Sequence, residues 1–285
     1  MRRVRWVGVV VVLIATVAGC LPRVSDIRPS GLWDRMRGNT DGFVVRSVLI
    51  DQPVGDAYLN KQLWATAGRP LPHELSTLLA QNGLRVGVFT GIIPTEFDRL
   101  VNSEQATINP MDRSMVSGKP KIIPVNGPID RSTFRVLRDL TADPVPVEFF
   151  AVECGLSVTA YPVEGNRVRM VLAWQVQHGD KQLYLNPTSD NSTFTRSDRK
   201  PLETYSTLTC DVTIGTSDYL ILGATEDPVE KLGQAFFIHS TPDRVRQRLL
   251  VIRGLRNSDQ ADAGKANANP NATTAGAAAR HPVKP

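Results

Sequence analysis

The side chains that could perform catalysis are few and lie far apart in this 285-residue sequence. No Gly-x-Ser-x-Gly, phosphate-loop or His-Glu-x-x-His motif marks a nucleophile or a metal site. A histidine in a turn or at a strand end is usually solvated or capping. A Ser-His-Asp triad assembled by the fold stays open as the alternative, since triads do not depend on sequence order. We expect no catalytic residue, no bound metal and no cofactor. The histidines are His73, His178, His239 and His281.

Two pairs of carboxylates could support hydrolysis, Glu226 with Asp227 and Glu203 with Asp211. That chemistry needs two acids at a set separation around a cleft. Charged residues beside turns usually face solvent instead. The sequence therefore favours a protein that is not an enzyme.

The first twenty residues carry the clearest chemical signal. A basic start is followed by an apolar run from Trp6 to Val17, too short to span a membrane as a helix. These are the parts of a secretory signal peptide. Val17-Ala18-Gly19-Cys20 resembles the lipobox of bacterial lipoproteins. That resemblance implies cleavage before Cys20 and diacylation of its sulfur, whereas an uncleaved anchor is the alternative.

Lipid on Cys20 predicts how and where the chain is held. Each buried methylene contributes about 0.8 kcal/mol, so several acyl chains anchor a protein firmly. By analogy with lipoprotein sorting in bacteria with two membranes, Leu21 is not the aspartate that often signals inner-membrane retention. We expect a protein anchored in the outer membrane and facing the periplasm.

The two remaining cysteines, Cys154 and Cys210, would lie in an oxidising compartment. A disulfide between them would close a loop of roughly 55 residues and stabilise the fold by about 4 kcal/mol in the chain-entropy model. Two buried free thiols are the other alternative, and the sequence leaves both open.

The charge of the chain argues against a nucleic-acid partner. Three of the 33 basic residues, Arg2, Arg3 and Arg5, lie in the leader and no acidic residue does, so the formal charge of +5 falls to +2 in the mature chain. The remaining basic residues are scattered among acids. No basic footprint for DNA or RNA results.

Changes in composition divide the chain into five segments. Residues 1–19 are the signal peptide and 20–42 a tether, and 43–130 form a small β-α-β-α module that includes a proline-rich connector. Residues 131–256 form an antiparallel β-rich domain. The low-complexity tail 257–285 has almost no large apolar residue and is expected to be disordered.

In the first module, apolar patterning predicts strands at Phe43–Ile50 and Leu84–Thr90. It predicts helices at Pro72–Gln81 and Thr95–Val101. The connector, 102–130, is expected to hold at most one short strand because it contains four prolines.

The β-rich domain shows short strands separated by turn residues, which predicts an α+β protein whose main part is an antiparallel sandwich or a partly open barrel. The candidate strands are Val145–Ala160, Arg167–Gln177, Leu183–Leu185, Thr204–Ile214, Tyr219–Leu222, Ala235–Ser240 and Arg248–Arg253.

Two blocks resemble a known family. In the first, the mainly aliphatic run Val44–Asp51 is followed by an acid, a leucine and a tryptophan, which are Asp56, Leu59 and Trp64. In the second, the paired strands Gly155–Thr159 and Val168–Leu172 are followed by closing strands at Thr209–Ile214, Tyr219–Gly223 and Leu249–Ile252. Both blocks resemble the core β-domain of the secretins, which form multimeric outer-membrane rings. Gly223-Ala224 stands where that family has a double glycine. The resemblance implies a secretin-like β module.

These observations lead to one functional expectation. We expect a lipid-anchored envelope protein with a non-enzymatic binding or scaffolding role in a secretin-like secretion or pilus assembly. Its partner would be an envelope protein or a further copy of the chain. A periplasmic hydrolase or a ligand-binding lipoprotein is the alternative. A scaffold should present an open strand edge or an apolar patch, whereas an enzyme needs a deep pocket with convergent polar groups.

Overall fold

The computed structural model describes residues 43–187, 192–241 and 243–256. The predicted signal peptide, Cys20, the tether, His281 and the tail lie outside the described residues. In chain order the elements are β1 Phe43–Pro53, α1 Leu63–Thr66 after a π-helical turn at Tyr58–Gln62, α2 His73–Gln81, β2 Leu84–Phe89, α3 Thr95–Val101, β3 Thr107–Met115, β4 Lys121–Val136, β5 Val145–Val163, β6 Arg167–Gln177, β7 Gln182–Pro187, β8 Phe194–Arg199, β9 Leu202–Gly215, β10 Tyr219–Ala224, α4 Leu232–Phe237, β11 Ile238–Thr241 and β12 Arg244–Arg256.

The larger sheet has the antiparallel order β2-β10-β12-β1-β3, and β11 also pairs with β12. The first and last described strands are neighbours, because β1 pairs with β12 from Phe43↔Arg256 to Pro53↔Arg246. The predicted module 43–130 and the predicted β-rich domain 131–256 thus contribute strands to one sheet. Their boundary falls inside β4.

A second sheet has the order β4-β5-β6-β9, and β7 pairs with β8 in a separate hairpin. The two larger sheets bury their facing sides in one hydrophobic cluster that also includes α4. Trp174 of β6 is fully buried there and meets Phe236 and Phe237 edge-on, at ring-centroid distances of 5.2 and 6.0 Å. The predicted class is confirmed: the described chain consists mostly of antiparallel sheets with a few short helices, and the sheets do not close into a barrel.

A second, smaller hydrophobic cluster lies on the opposite face of the larger sheet. Side chains of β12 alternate between the clusters, with Leu250 in the first and Leu249 and Val251 in the second. Phe97 of α3 and Leu63 of α1 cover this outer face. The larger sheet therefore lies between helices on one side and the second sheet on the other.

Several predicted elements have the expected bounds. The helix Thr95–Val101 and the strand Arg167–Gln177 are observed as predicted. The helix predicted from Pro72 begins at His73, with Pro72 as its N-cap. β1 continues past its predicted end through Pro53.

The expectation for the connector was wrong, because 102–130 contains β3 and most of β4. Both are edge strands. The outer side of an edge strand makes no ladder hydrogen bonds, so a proline that faces outward removes none. The register of β4 also shifts between Pro124 and Asn126 and again before Ile129, so the chain absorbs its prolines at irregularities.

The strand predicted at Ala235–Ser240 is wrong over its first half. Leu232–Phe237 is a helix, and only Ile238–Thr241 is a strand. Leu232, Ala235 and Phe236 have helical spacing and are buried. A short apolar run that is buried on all sides shows neither a helical nor a strand period, so the sequence pattern could not distinguish a helix from a strand here.

Candidate functional site

The strand β2 forms one edge of the larger sheet, and its outer side is only partly paired. Gly68 exchanges two backbone hydrogen bonds with Val88, one of 2.8 Å from the Gly68 N–H and one of 3.0 Å from the Val88 N–H. Pro70 and Pro72 follow Gly68 and have no N–H, so the ladder cannot continue along β2. The outer edge is consequently paired at one end and open at the other.

The open part of the edge lies at Val86. Backbone groups alternate between the two sides of a strand. The Gly83 carbonyl accepts from the Thr225 N–H on the β10 side, and Val88 bonds outward. By that alternation, the N–H and C=O of Leu84 and Val86 also face outward. This orientation offers hydrogen bonds to an added strand.

A groove with a volume of about 560 Å³ runs along this edge. The wall on the side of the main core is the outer face of α2, including His73, Thr77 and Ala80. The opposite wall includes Trp64 and Ala67, from the α1 region. The floor between these walls is mainly apolar, because Leu84, Val86 and Gly87 of β2 line it. The groove has room for an extended segment beside the strand.

Arg85 is held on the Trp64 side of the groove. Its guanidinium carbon lies 4.5 Å from the Trp64 ring centroid. Nε donates to the Ala224 carbonyl at 2.7 Å, and Nη1 donates to the Asn60 carbonyl at 2.9 Å. Nη2 is buried and has no hydrogen-bond partner in the described chain. Burial lowers the pKa of Arg85 to about 10, against the opposing charge of Glu226, so the group stays cationic at neutral pH.

The groove is lined by cations and by no acid. Arg69 and Lys231 join Arg85 there, and none of the described residues that line the groove is Asp or Glu. The Lys231 ammonium donates to the backbone carbonyl of Asp227 at 2.9 Å. The groove therefore combines an apolar floor with three cationic side chains.

A second polar cluster lies between α4, β4 and β12 and centres on Asn126. The buried Asn126 amide donates to the carbonyls of Ala235 and Ile238 at 2.8 and 2.9 Å. Its Oδ1 accepts from Arg248 Nη1 at 3.0 Å and from His239 Nδ1 at 3.1 Å. The amide thereby ties α4 and β11 to the second sheet.

The charges beside Asn126 are partly buried, and one carboxylate faces two arginines. Asp51 lies 3.0 Å from Arg246 Nε and 3.7 Å from Arg248 Nε. Burial lowers the pKa of His239, the Arg248 charge lowers it further, and Asp51 opposes both. His239 also borders a cavity of about 550 Å³. Since Nδ1 donates to the Asn126 oxygen, the imidazole is held in one orientation within this cluster.

The structure separates the histidines among the described residues. His73 begins α2 at the groove, and His239 lies in the Asn126 cluster. His178 stacks on Phe149 at a centroid distance of 4.2 Å. In the described ranges, no group of three or more His, Cys, Asp or Glu side chains could hold a metal ion.

Three of the four carboxylates considered for hydrolysis lie in exposed ion pairs. Glu203 is 3.3 Å from Arg138, and Glu226 is 3.4 Å from Lys61. Asp211 accepts from Arg169 Nε at 2.9 Å, which holds the pKa of Asp211 below its ordinary value. Asp227 offers its backbone carbonyl to the Lys231 ammonium.

Cys154 and Cys210 are both buried free thiols, the second of the two alternatives. Cys154 on β5 is opposite Val176 of β6, and Cys210 on β9 is opposite Leu172 of the same strand. Neighbouring strands lie about 4.8 Å apart, so β5 and β9 are separated by about twice that distance across β6. The Cα atoms of the two cysteines are therefore further apart than the separation of about 7 Å that a disulfide allows. Burial raises the pKa of each thiol to about 12.

Sequence reasoning did not find the groove. The available signal for this site was a lone charged residue, Arg85, within a strand of otherwise apolar residues and glycine. Pro72, which together with Pro70 limits the pairing of β2, appeared only as a helix-start residue, and no prediction was attached to Pro70. The partners that give Arg85 its setting lie at positions 60, 64 and 224, and a local pattern does not reveal them.

Comparisons with known proteins give little further information. The chain matches no protein-family model and no curated protein sequence. Among solved structures it is weakly similar to the secretin-domain β-barrel of InvG from the Salmonella SPI-1 injectisome NC-base, with 9% identity and a TM-score of 0.17. The match covers 79% of this chain and 64% of that one, so the chain spans less than two thirds of that structure. Among the described residues, no helix has the length and apolar character of a membrane span.

Proposed function

We propose that this chain is a lipid-anchored envelope protein that binds a protein partner, without catalysis, at the open edge of β2. The observation that carries the proposal is the half-paired edge lying in a groove beside α2. Strand addition at such an edge derives affinity from backbone hydrogen bonds and specificity from the groove walls. The lipobox-like Cys20 supports anchoring, which would keep this surface near other envelope proteins.

Hydrolysis has less support from the geometry. Three of the four candidate carboxylates pair with Arg or Lys side chains. A hydrolase of the Ser-His-Asp type needs a base within reach of a nucleophile, held in turn by a third group. Binding at the groove uses features that are already formed in the fold.

Site-specific photo-cross-linking in intact cells tests the proposal. A photoreactive amino acid replaces His73 in the groove or, as a control, Glu164 in an exposed turn. We expect a defined adduct from position 73 and none of that mass from position 164. An adduct of twice the chain mass would identify a second copy as the partner.

A blocking variant shows whether an adduct depends on the groove. Ala80→Trp places an indole in the groove, and Ala65→Trp makes the same change at an exposed helical alanine outside it. We expect Ala80→Trp to remove the adduct and Ala65→Trp to retain it. Equal adducts in both variants, or none from position 73 in the unblocked chain, would overturn the proposal.

A further inference from the structure

The side chains around the β2 edge restrict what can bind there. An added strand would point alternate side chains toward opposite walls. One set would meet the α2 wall, whose inner part is apolar through Leu71 and Leu79. The other set would meet the Trp64 wall, where Arg85 is fixed by two backbone carbonyls. The two sets thus face different chemistry.

Three cations and no acid face this space. Arg85 contributes one of these charges from the Trp64 side, where its Nη2 is buried. Arg69 is exposed at the groove and Lys231 lies at its other side. A carboxylate in the groove would compensate this charge and accept from the exposed Arg69.

We infer that the groove takes an extended segment of another envelope protein, added to the edge of β2, with an Asp or Glu side chain that pairs with the exposed Arg69 in the positive field of Arg85 and Lys231. The inference rests on the proposed function and names the chemistry of its partner. Apolar side chains at alternate positions of the segment meet the α2 wall. An anionic lipid headgroup would match the charge alone, whereas a strand also uses the outward N–H and C=O of Val86.

An oriented peptide library tests the inference with the full chain in detergent. The library contains octapeptides with valine at alternate positions and randomised residues between them. Peptides retained by the natural chain and by Ala80→Trp are sequenced. We expect Asp and Glu to be enriched at one randomised position by the natural chain and not by Ala80→Trp.

Charge variants then measure the pairing by fluorescence anisotropy with the most enriched acidic peptide and its Gln or Asn counterpart. We expect the amide counterpart to bind the natural chain at least tenfold more weakly. Arg69→Gln changes an exposed residue and should reduce binding of the acidic peptide about threefold to tenfold. Arg167→Gln, an exposed arginine outside the groove, should leave binding unchanged. Arg85→Gln removes one charge of the groove wall and should reduce the preference for the acid, with circular dichroism confirming its fold.

The possible failures are distinguishable. Enrichment that depends on an open groove but lacks acids would overturn the carboxylate pairing and leave the proposed function standing. No difference between the natural chain and Ala80→Trp would overturn both. Stronger retention after deletion of 257–285 would make the chain's own tail the occupant and refute an external segment. Equal retention of the natural chain and Ala80→Trp on vesicles containing phosphatidylglycerol, with no peptide selected, would assign the charge to lipid instead.

Discussion

The imidazole Nδ1 of His239 lies 3.1 Å from Oδ1 of Asn126, and the same oxygen accepts from Arg248 at 3.0 Å. Asn126 is thus a side chain through which β11, β12 and α4 all meet the edge strand of the second sheet. Its amide uses both donors and accepts from two side chains and from the Gly127 N–H. Such a completely used amide, once buried, specifies one arrangement of the surrounding elements.

Asn126→Ala should therefore destabilise the fold strongly. The substitution leaves the carbonyls of Ala235 and Ile238 and a donor of Arg248 without their partner, and buried unpaired groups cost about 1 to 3 kcal/mol each. We expect a loss of about 3 kcal/mol in the unfolding free energy measured with urea. Asn102→Ala, at an exposed helix end, is the control and should lose less than about 1 kcal/mol. Equal losses would show that the cluster has no special structural role.

The two buried cysteines predict a simple thiol count. In a Cys20→Ser chain that is denatured without reductant, Ellman's reagent should find two reactive thiols, from Cys154 and Cys210. In the folded chain both should react very slowly, because burial suppresses the thiolate that attacks the reagent. A count of zero after denaturation would indicate a disulfide and would contradict the placement of the two residues on opposite sides of β6.

The same thiols predict a loss of stability at alkaline pH. Their pKa values rise from 9.0 in the ordinary state to about 12 in the fold, so the folded chain keeps protons that the unfolded chain releases. The contribution of each thiol to the unfolding free energy is complete below about pH 9 and is lost as the pH rises toward 12. Its upper limit is about 4 kcal/mol per thiol.

Unfolding free energies measured from pH 8 to 11 check this expectation. The double variant Cys154→Ala with Cys210→Ala should show a shallower decline than the natural chain. Burial also raises the pKa of Tyr205 above its ordinary value, so Tyr205→Phe separates the phenol contribution. An identical decline with and without the thiols would refute the buried-thiol explanation.

Local pattern was sufficient where an element depends on its own residues. The helix Thr95–Val101 starts after a proline and ends at asparagine, and β6 alternates buried and partly exposed residues along its length. Both have the bounds that the sequence predicts. Pattern failed for β3 and β4, because whether a proline is tolerated depends on a strand being at a sheet edge. That position is a long-range property.

The groove could not be predicted for a related reason. β2 pairs with β10, which lies 130 to 140 residues further along the chain. Whether the other edge of β2 stays open depends on where the remaining strands pair. Arg85 gains its neighbours only after this pairing forms. The cysteines show the same limit, since their distance is set by the strand that lies between them.

The last prediction concerns the anchor, which lies outside the described residues. The lipobox-like sequence before Cys20 predicts that cells fed a radioactive fatty acid will label the chain, and that Cys20→Ser will abolish the label and leave an uncleaved precursor. The sulfur is the acceptor of the lipid, so a hydroxyl at that position should not substitute for it. Membrane fractions should hold the natural chain after a high-salt wash, because several acyl chains bind through buried methylenes and not through charge. Leu21→Asp is the companion variant, and it should move the labelled chain from the outer to the inner membrane without reducing the label. Label that persists in Cys20→Ser would refute lipidation at this residue, and binding at the β2 edge would then need another means of envelope retention.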